Sequence, residues 1–196
     1  MATPSNDAVR SRESGFTLLE VLISMVILTL LLVGTLAIST ETARFTTYAD
    51  EDYRAQNEVQ TALSKLGDVL HKTGRVTLGG TAFPRVLEEG TELDFLLHTD
   101  LDGNGHGYDQ QTGEIEWSPI VYTARLNPDS GTFGIYVGPH LLKILGVGIT
   151  EVEFTTYTED PTVEFKEIEV RIRADRTTSD GAPVTFTSTQ SIHMRN

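Results

Sequence analysis

One long apolar run, from Val21 to Ile38, limits what this chain can fold into: "VLISMVILTLLLVGTLAI". The run contains no charged residue and no proline, and its polar members are Ser24, Thr29 and Thr35. About 18 residues of this kind are enough to predict a helix that spans a membrane. Nothing else in the chain approaches that length, so the sequence predicts at most one span.

The rest of the chain has the composition of a folded protein. Its 196 residues are 39% hydrophobic and 22% charged, which favours one globular domain with an appendage over a disordered or polytopic membrane protein. The formal net charge of -13 argues against a general phosphate-binding surface, so no direct contact with nucleic acid is expected. Because the chain has no cysteine, disulfides, thiolate metal sites and cysteine nucleophiles are excluded.

The charges around the run predict its orientation. Arg10 and Arg12 precede the run, whereas acids outnumber arginines in the segment that follows it. The positive-inside rule therefore predicts a single-pass protein of the inner membrane, with a cytoplasmic N-terminus and a periplasmic or extracellular C-terminal domain. A secretory signal peptide cut after Ala37 is the alternative, but its apolar region is usually about 7 to 15 residues long. Glu20 also needs an explanation, because a carboxylate at the bilayer centre costs about 2.5–3.5 kcal/mol and usually has a partner.

The stretch "SGFTLLEVLISMVIL" that contains this acid resembles the N-terminal motif of type IV pilins and of the pseudopilins of type II secretion systems. The resemblance implies that a prepilin peptidase cleaves between Gly15 and Phe16 and that the new amino group of Phe16 is methylated. It also implies that Glu20 meets the N-terminal amine of a neighbouring subunit during assembly. The expected partners are therefore the peptidase and other pilins or pseudopilins, bound through the N-terminal helix.

Beyond the apolar run, hydrophobic residues continue at helical spacing from Phe45 and Tyr48 to Leu70. This stripe predicts an amphipathic helix that covers a sheet, with a coiled-coil or partner surface as the alternative. His71, Lys72 and Gly74 form a pattern typical of a helix C-terminus. The predicted segments are a leader peptide at 1–15, a transmembrane and assembly helix at 16–39, its amphipathic continuation at 40–74 and a β-sheet domain at 75–196.

The C-terminal part consists of short extended segments separated by turn residues, such as "TELDFLLHT", "TFGIYVG" and "FKEIEVRIRAD". Hairpin-length connections predict antiparallel pairing, and the overall fold class is therefore α+β with a long helix packed on an antiparallel sheet. One strand is predicted to bury a single face, formed by Phe165, Ile168, Val170 and Ile172. The segment "LLKILG" is predicted to begin as a buried strand before a turn or bulge at Gly146 and Gly148.

The stretch "DLDGNGHGYDQQ" offers a candidate calcium loop. Asp100, Asp102 and Asn104 match the first ligand positions of an EF-hand, whereas Gln111 stands at the position of the usual glutamate. Asp109 or Glu114 could replace that ligand. A glycine-rich hairpin turn explains the same residues, so the two hypotheses stay open.

No catalytic pattern is present in the sequence. The five histidines lack metalloenzyme spacing, and His98 and His106 have no third nitrogen ligand nearby for zinc. Glu114 and Glu116 lie in strand-like sequence and are expected to face solvent. The chain is therefore predicted not to be an enzyme and to require no cofactor.

The C-terminal half also resembles minor pilins and minor pseudopilins, especially W-type minor pilins and J-type pseudopilins. The similarity rests on segments such as "LDFLLHTDLDGNG", "VGITEVEFTTY" and "IEVRIRA". It implies a structural minor subunit that acts at the tip or in the initiation of a filament. Two alternatives are an envelope enzyme or binding protein with an uncleaved anchor, and a DNA-uptake pilus subunit with a local basic patch at Arg171, Arg173 and Arg176.

Overall fold

A computed structural model describes residues 16–101, 107–156 and 167–194 of the chain. These residues form a long N-terminal α-helix and antiparallel β-sheets, which confirms the predicted α+β class. The helix, α1, extends over Leu18–Leu70. The chain divides into two compact units, the first ending at Phe45 and the second beginning at Thr46. Each unit therefore contains one part of α1.

The second unit contains ten strands in the described residues, and they form three sheets. The strands are β1 (Val76–Leu78), β2 (Thr81–Phe83), β3 (Arg85–Leu87), β4 (Glu92–Phe95), β5 (Tyr122–Asn127), β6 (Thr132–Val137), β7 (His140–Gly146), β8 (Glu151–Thr156), β9 (Glu167–Thr177) and β10 (Pro183–His193), with a 3-10 turn at Glu88–Gly90. The sheet orders are β1-β2, β3-β4-β5-β6-β7 and β10-β9-β8, and every pairing is antiparallel.

Strand β9 shows why an alternating sequence forms a sheet with one buried face. Ile168, Val170 and Ile172 are fully buried, while the residues between them point to the other face. Their alternation confirms the prediction for this strand within the described residues. Phe165, which was assigned to the same face, lies outside them.

The C-terminal part of α1 packs on this core. Its buried residues recur at steps of three and four, as one apolar face of a helix requires: Ala55, Val59, Ala62, Leu63, Leu66, Gly67 and Leu70. The prediction that the stripe covers a sheet is therefore confirmed over this segment. The prediction was wrong at its start, because Phe45 and Tyr48 are 73% and 44% exposed. Burial on α1 begins at Ala55, about two to three turns later than the hydrophobic spacing suggested.

The helix also ends earlier than predicted, at Leu70, so His71 and Lys72 lie in the following turn rather than in the last helical turn. The Thr73 hydroxyl donates to the Leu70 carbonyl oxygen at 2.7 Å, and the Thr73 amide donates to the same oxygen at 3.0 Å. Because these bonds satisfy a carbonyl that the helix leaves open, Thr73 closes the helix and Gly74 is not the stop.

Strand β7 differs most from its prediction. It was expected to begin as a buried strand, yet its first five residues are exposed and only Leu145 and Gly146 are buried. The reason is its place at the edge of the five-stranded sheet, where it has β6 on one side only. Gly146 allows β7 to reach α1 at that end, since a Cβ atom there would lie 2.9 Å from the Cβ of Ala62.

Candidate functional site

The start of α1 is closed by its own side chains. The Glu20 carboxylate accepts hydrogen bonds from the Thr17 amide at 3.0 Å and from the Thr17 hydroxyl at 3.1 Å. In return, the Glu20 amide donates to the Thr17 hydroxyl oxygen at 3.2 Å. This reciprocal arrangement is a capping box, which satisfies backbone donors that the first helical turn leaves unpaired.

The capping box is a feature that the predictions did not include. Its sequence pattern, a threonine followed three residues later by a glutamate before an apolar run, was available at Thr17 and Glu20. The negative carboxylate at a helix N-terminus is further favoured by the helix dipole. Glu20 therefore has a favourable position in a single subunit, in addition to any role between subunits.

The apolar run that follows is exposed along its whole length in the isolated chain. Every residue from 16 to 38 is exposed, including Phe16 at 83%. Within the described residues, α1 is the one helix that is long and apolar enough to cross a membrane, although a signal sequence near the N-terminus has the same properties. An exposed surface of this size has to be covered by lipid or by other apolar helices.

The two threonines in the run do not present free hydroxyl groups to that apolar surrounding. Thr29 donates to the Met25 carbonyl oxygen at 2.8 Å, and Thr35 donates to that of Leu31 at 2.9 Å. Such bonds back to the preceding turn satisfy a threonine hydroxyl inside the helix itself. The cost of placing these residues in an apolar environment is correspondingly small.

A second polar cluster lies in the second unit, where β9 meets α1. Arg176 is hydrogen-bonded to Glu58, and its guanidinium also lies 3.8 Å from the carboxylate of Glu51. Arg176 and Glu58 are separated by 118 positions in the sequence. No sequence pattern relates residues that far apart, so this ion pair became visible only with the fold.

The other two arginines of the proposed basic patch are paired as well. Arg171 lies 3.5 Å from Glu153, and Arg173 lies 3.8 Å from Glu151 and 3.0 Å from Asp175. These acids neutralise the local positive charge. The surface at β9 therefore lacks the uncompensated basic charge that binding to a phosphate backbone requires.

Asp175 is held in its charged form by hydrogen bonds. The Thr185 hydroxyl donates to it at 2.7 Å, and Arg173 and the Thr150 hydroxyl donate at 3.0 and 3.1 Å. The pKa of the Asp175 carboxyl is lowered from its ordinary value, chiefly by the Thr185 hydrogen bond and then by those from Arg173 and Thr150, although desolvation partly opposes the shift.

In the acidic loop between β4 and β5, two segments of the chain pair with each other in an antiparallel arrangement. Residues 97–99 pair with 116–118, and 107–109 pair with 114–116, through single bridges and backbone hydrogen bonds. Asp109 accepts from the Gln111 amide at 2.7 Å and from the Thr112 amide at 3.3 Å, which closes a tight turn. The Gln111 hydrogen bond is the main reason why the pKa of the Asp109 carboxyl is lowered.

The candidate calcium ligands are only partly visible in this loop. Asp102 and Asn104 lie outside the described residues, as does His106. Among the described residues no three histidine or acidic side chains are grouped as a metal site. Asp109 is engaged in its turn, Glu116 accepts from the Leu101 amide at 2.5 Å, and the Nδ1 atom of His98 is bonded to the Lys72 carbonyl oxygen. Calcium binding stays a prediction.

Comparison with known proteins identifies one family match. Residues 10–36 match the family model described as the prokaryotic N-terminal methylation motif. No curated protein and no solved structure matches the chain.

The matched region contains the predicted cleavage and methylation positions, Gly15 and Phe16, and the capped Glu20. Gly15 lies outside the described residues. The match and the exposed apolar helix together support a type IV pilin-like protein that is anchored in a membrane and processed by prepilin peptidase. Proteins with this motif are in general structural pilins rather than enzymes.

Proposed function

We propose that the chain is the precursor of a minor subunit of an envelope filament, either a type IV pilus or a type II secretion pseudopilus. The observation that carries this proposal is the methylation motif at residues 10–36, which leads directly into an exposed apolar helix. Prepilin peptidase cleaves after Gly15, and the new N-terminus on Phe16 is methylated. Until assembly, α1 holds the second unit on the periplasmic side of the inner membrane. The role is structural, in initiation or at the tip.

Glu20 sets the register between neighbouring subunits in this proposal. Cleavage creates a positive amine on Phe16, and a charge pair in a low-dielectric environment is strongly favoured over either isolated charge. Before assembly the same carboxylate is held by Thr17. Transfer of Glu20 from its own cap to the amine of a neighbour therefore exchanges one set of hydrogen bonds for a charge pair, without leaving a bare carboxylate in the membrane.

The cleavage step is tested by intact-mass and N-terminal analysis of the protein extracted from membranes. A methylated Phe16 at the N-terminus is the expected result. An N-terminus at Ile38 would establish ordinary secretion, and an uncut chain would establish a simple membrane anchor for an envelope binding protein or enzyme.

The register hypothesis is tested by comparing Glu20→Ala with Thr17→Val in the full chain. Both variants disrupt the capping box, but only Glu20→Ala removes the carboxylate. We expect normal processing of both and a loss of filament incorporation with Glu20→Ala alone, measured by the amount of the subunit in sheared filaments. Equal loss in both variants would assign Glu20 to helix capping only.

The two filament types are separated by a deletion strain. Loss of surface pili with normal protein secretion would identify a pilus subunit. Loss of secreted proteins with normal surface pili would identify a pseudopilus subunit. Restoration by the wild-type gene, but not by the Glu20→Ala variant, would connect the phenotype to assembly.

A further inference from the structure

Strand β7 presents an open sheet edge with apolar side chains. It pairs with β6 on one side and, in the part of the chain that the structure describes, with no strand on the other. Near this edge Leu142 is 58% exposed, Ile144 is 48% exposed and Val147 in the following turn is 50% exposed. An edge strand carries unpaired backbone donors and acceptors, and exposed apolar residues beside them make it a template for another strand.

The other strands of the five-stranded sheet, β3 to β6, carry side chains that pair with one another. Asp94 on β4 is bonded to Arg85 on β3 at 2.9 Å and to the Thr123 hydroxyl on β5 at 2.6 Å. Further along, Arg125 lies over the ring of Tyr136 on β6 at 4.6 Å. Polar groups that satisfy one another thus cross the sheet from β3 to β6. The pattern ends at β7, where Leu141, the pairing partner of Tyr136, is 42% exposed.

The charge distribution around β7 is also unusual for this chain. The chain has 28 acidic residues and a net charge of -13, yet no acid occurs between Asp129 and Glu151. Within that interval the basic side chains are those of Lys143 and His140, both on β7 and both exposed. The strand itself therefore carries a positive charge, at Lys143, and no acidic side chain.

Lys143 limits which strand can pair with this edge. A lysine on an edge strand opposes pairing with a second copy of the same edge, because like charges on adjacent strands repel. It favours a strand that brings a carboxylate to the same position. Leu142 and Leu145 have no pairing partner on β6, because each lies at a β-bulge. The edge is therefore irregular, which does not favour the repeated addition of identical strands.

We propose that β7 binds an extended segment of a different protein that alternates apolar residues with an aspartate or glutamate. The segment adds as a further strand beside β7, its backbone pairs with the open edge, its apolar side chains cover Leu142 and Ile144, and its carboxylate faces Lys143. This inference does not depend on the proposed filament role.

The test uses the full chain in detergent micelles and a synthetic fluorescent peptide matched in length to β7. The peptide alternates valine and threonine and carries one central glutamate. A second peptide carries lysine in its place, and a third has N-methyl groups on all of its backbone amides. Fluorescence anisotropy measures the affinity of each. We expect the glutamate peptide to bind about tenfold more tightly than the lysine peptide. The N-methylated peptide is expected not to bind, because it lacks the donors for strand pairing.

Charge reversal at the edge provides the matched control. Lys143→Glu is expected to invert the preference between the two peptides, whereas Lys72→Glu, the same change at an exposed residue outside β7, is expected to leave it unchanged. Equal binding of the glutamate and lysine peptides would overturn the proposal, as would binding of the N-methylated peptide. Self-association of the chain that Leu142→Asp abolishes, without peptide binding, would show that the occupant is a second copy and would overturn it too.

Discussion

The ion pair between Arg176 on β9 and Glu58 on α1 is expected to contribute measurably to the stability of the second unit. Both side chains are 25% exposed, and they share a charge-assisted hydrogen bond. Exposed ion pairs contribute about 0.2–1 kcal/mol, and hydrogen bonds to charged groups contribute about 1.5–3 kcal/mol. Because solvent reaches a quarter of each side chain and screens the pair in part, we expect a coupling free energy of about 1–2 kcal/mol.

A double-mutant cycle measures this coupling directly. The variants are Arg176→Gln, Glu58→Gln and the two together, and the free energy of unfolding is obtained from urea titrations of the full chain in detergent, followed by the fluorescence of Trp117, the one tryptophan. Glu51 is the matched control, since its carboxylate lies 3.8 Å from the same guanidinium. Its coupling with Arg176 should stay below about 0.5 kcal/mol. A coupling with Glu58 no larger than that with Glu51 would refute the reasoning.

Three further predictions concern the second unit, each measured by unfolding of the full chain. Gly148→Ala should destabilise it more than Gly181→Ala. Both glycines have a positive φ, of 68° and 87°, which costs a substituted residue about 1–2 kcal/mol, but only at Gly148 would the new Cβ lie 2.9 Å from the ion pair of α1 and β9. Leu66→Ala should lower the free energy of unfolding by about 2–5 kcal/mol, because Leu66 is fully buried. Leu142→Ala, at an exposed residue, should change it by less than about 0.5 kcal/mol. Similar losses in the two variants would contradict the assigned core. Because the pKa of Asp175 is lowered by folding, its contribution is present above its unfolded pKa of about 3.9 and is lost as the pH falls through the lower folded value, so Asp175→Asn should flatten the pH dependence of unfolding below about pH 4.

The elements that the sequence predicts best are those whose burial is repeated at a fixed period. The stripe on α1 from Ala55 to Leu70 and the alternating face of β9 are each specified by neighbouring residues, because one face of each element packs on the same core. The methylation motif could also be predicted from the sequence, for a different reason: all its residues are contiguous.

The features that were missed depend on where an element lies in the sheet or on residues far apart in sequence. An apolar segment such as β7 has the same composition in the centre of a sheet as at its edge, and only the strand order makes it exposed. The three-residue strands β1, β2 and β3 are too short to show a period. The pair of Arg176 and Glu58 requires both the helix and the last sheet to be in place before it exists.

The exposed apolar run of α1 and the exposed edge of β7 can be covered by different kinds of surface, because their backbones differ in hydrogen bonding. In the helical segment from residue 21 to residue 38 the backbone amides donate within the helix, and the hydroxyls of Thr29 and Thr35 donate to its carbonyl oxygens. Lipid or another apolar helix can cover such a surface at no cost in hydrogen bonds. Strand β7 has an open edge, so lipid would leave its donors and acceptors unpaired, and only water or another strand can satisfy them. Membrane insertion and helix packing therefore explain the exposure of α1 but not that of β7, whose open edge stays in water until a strand pairs with it.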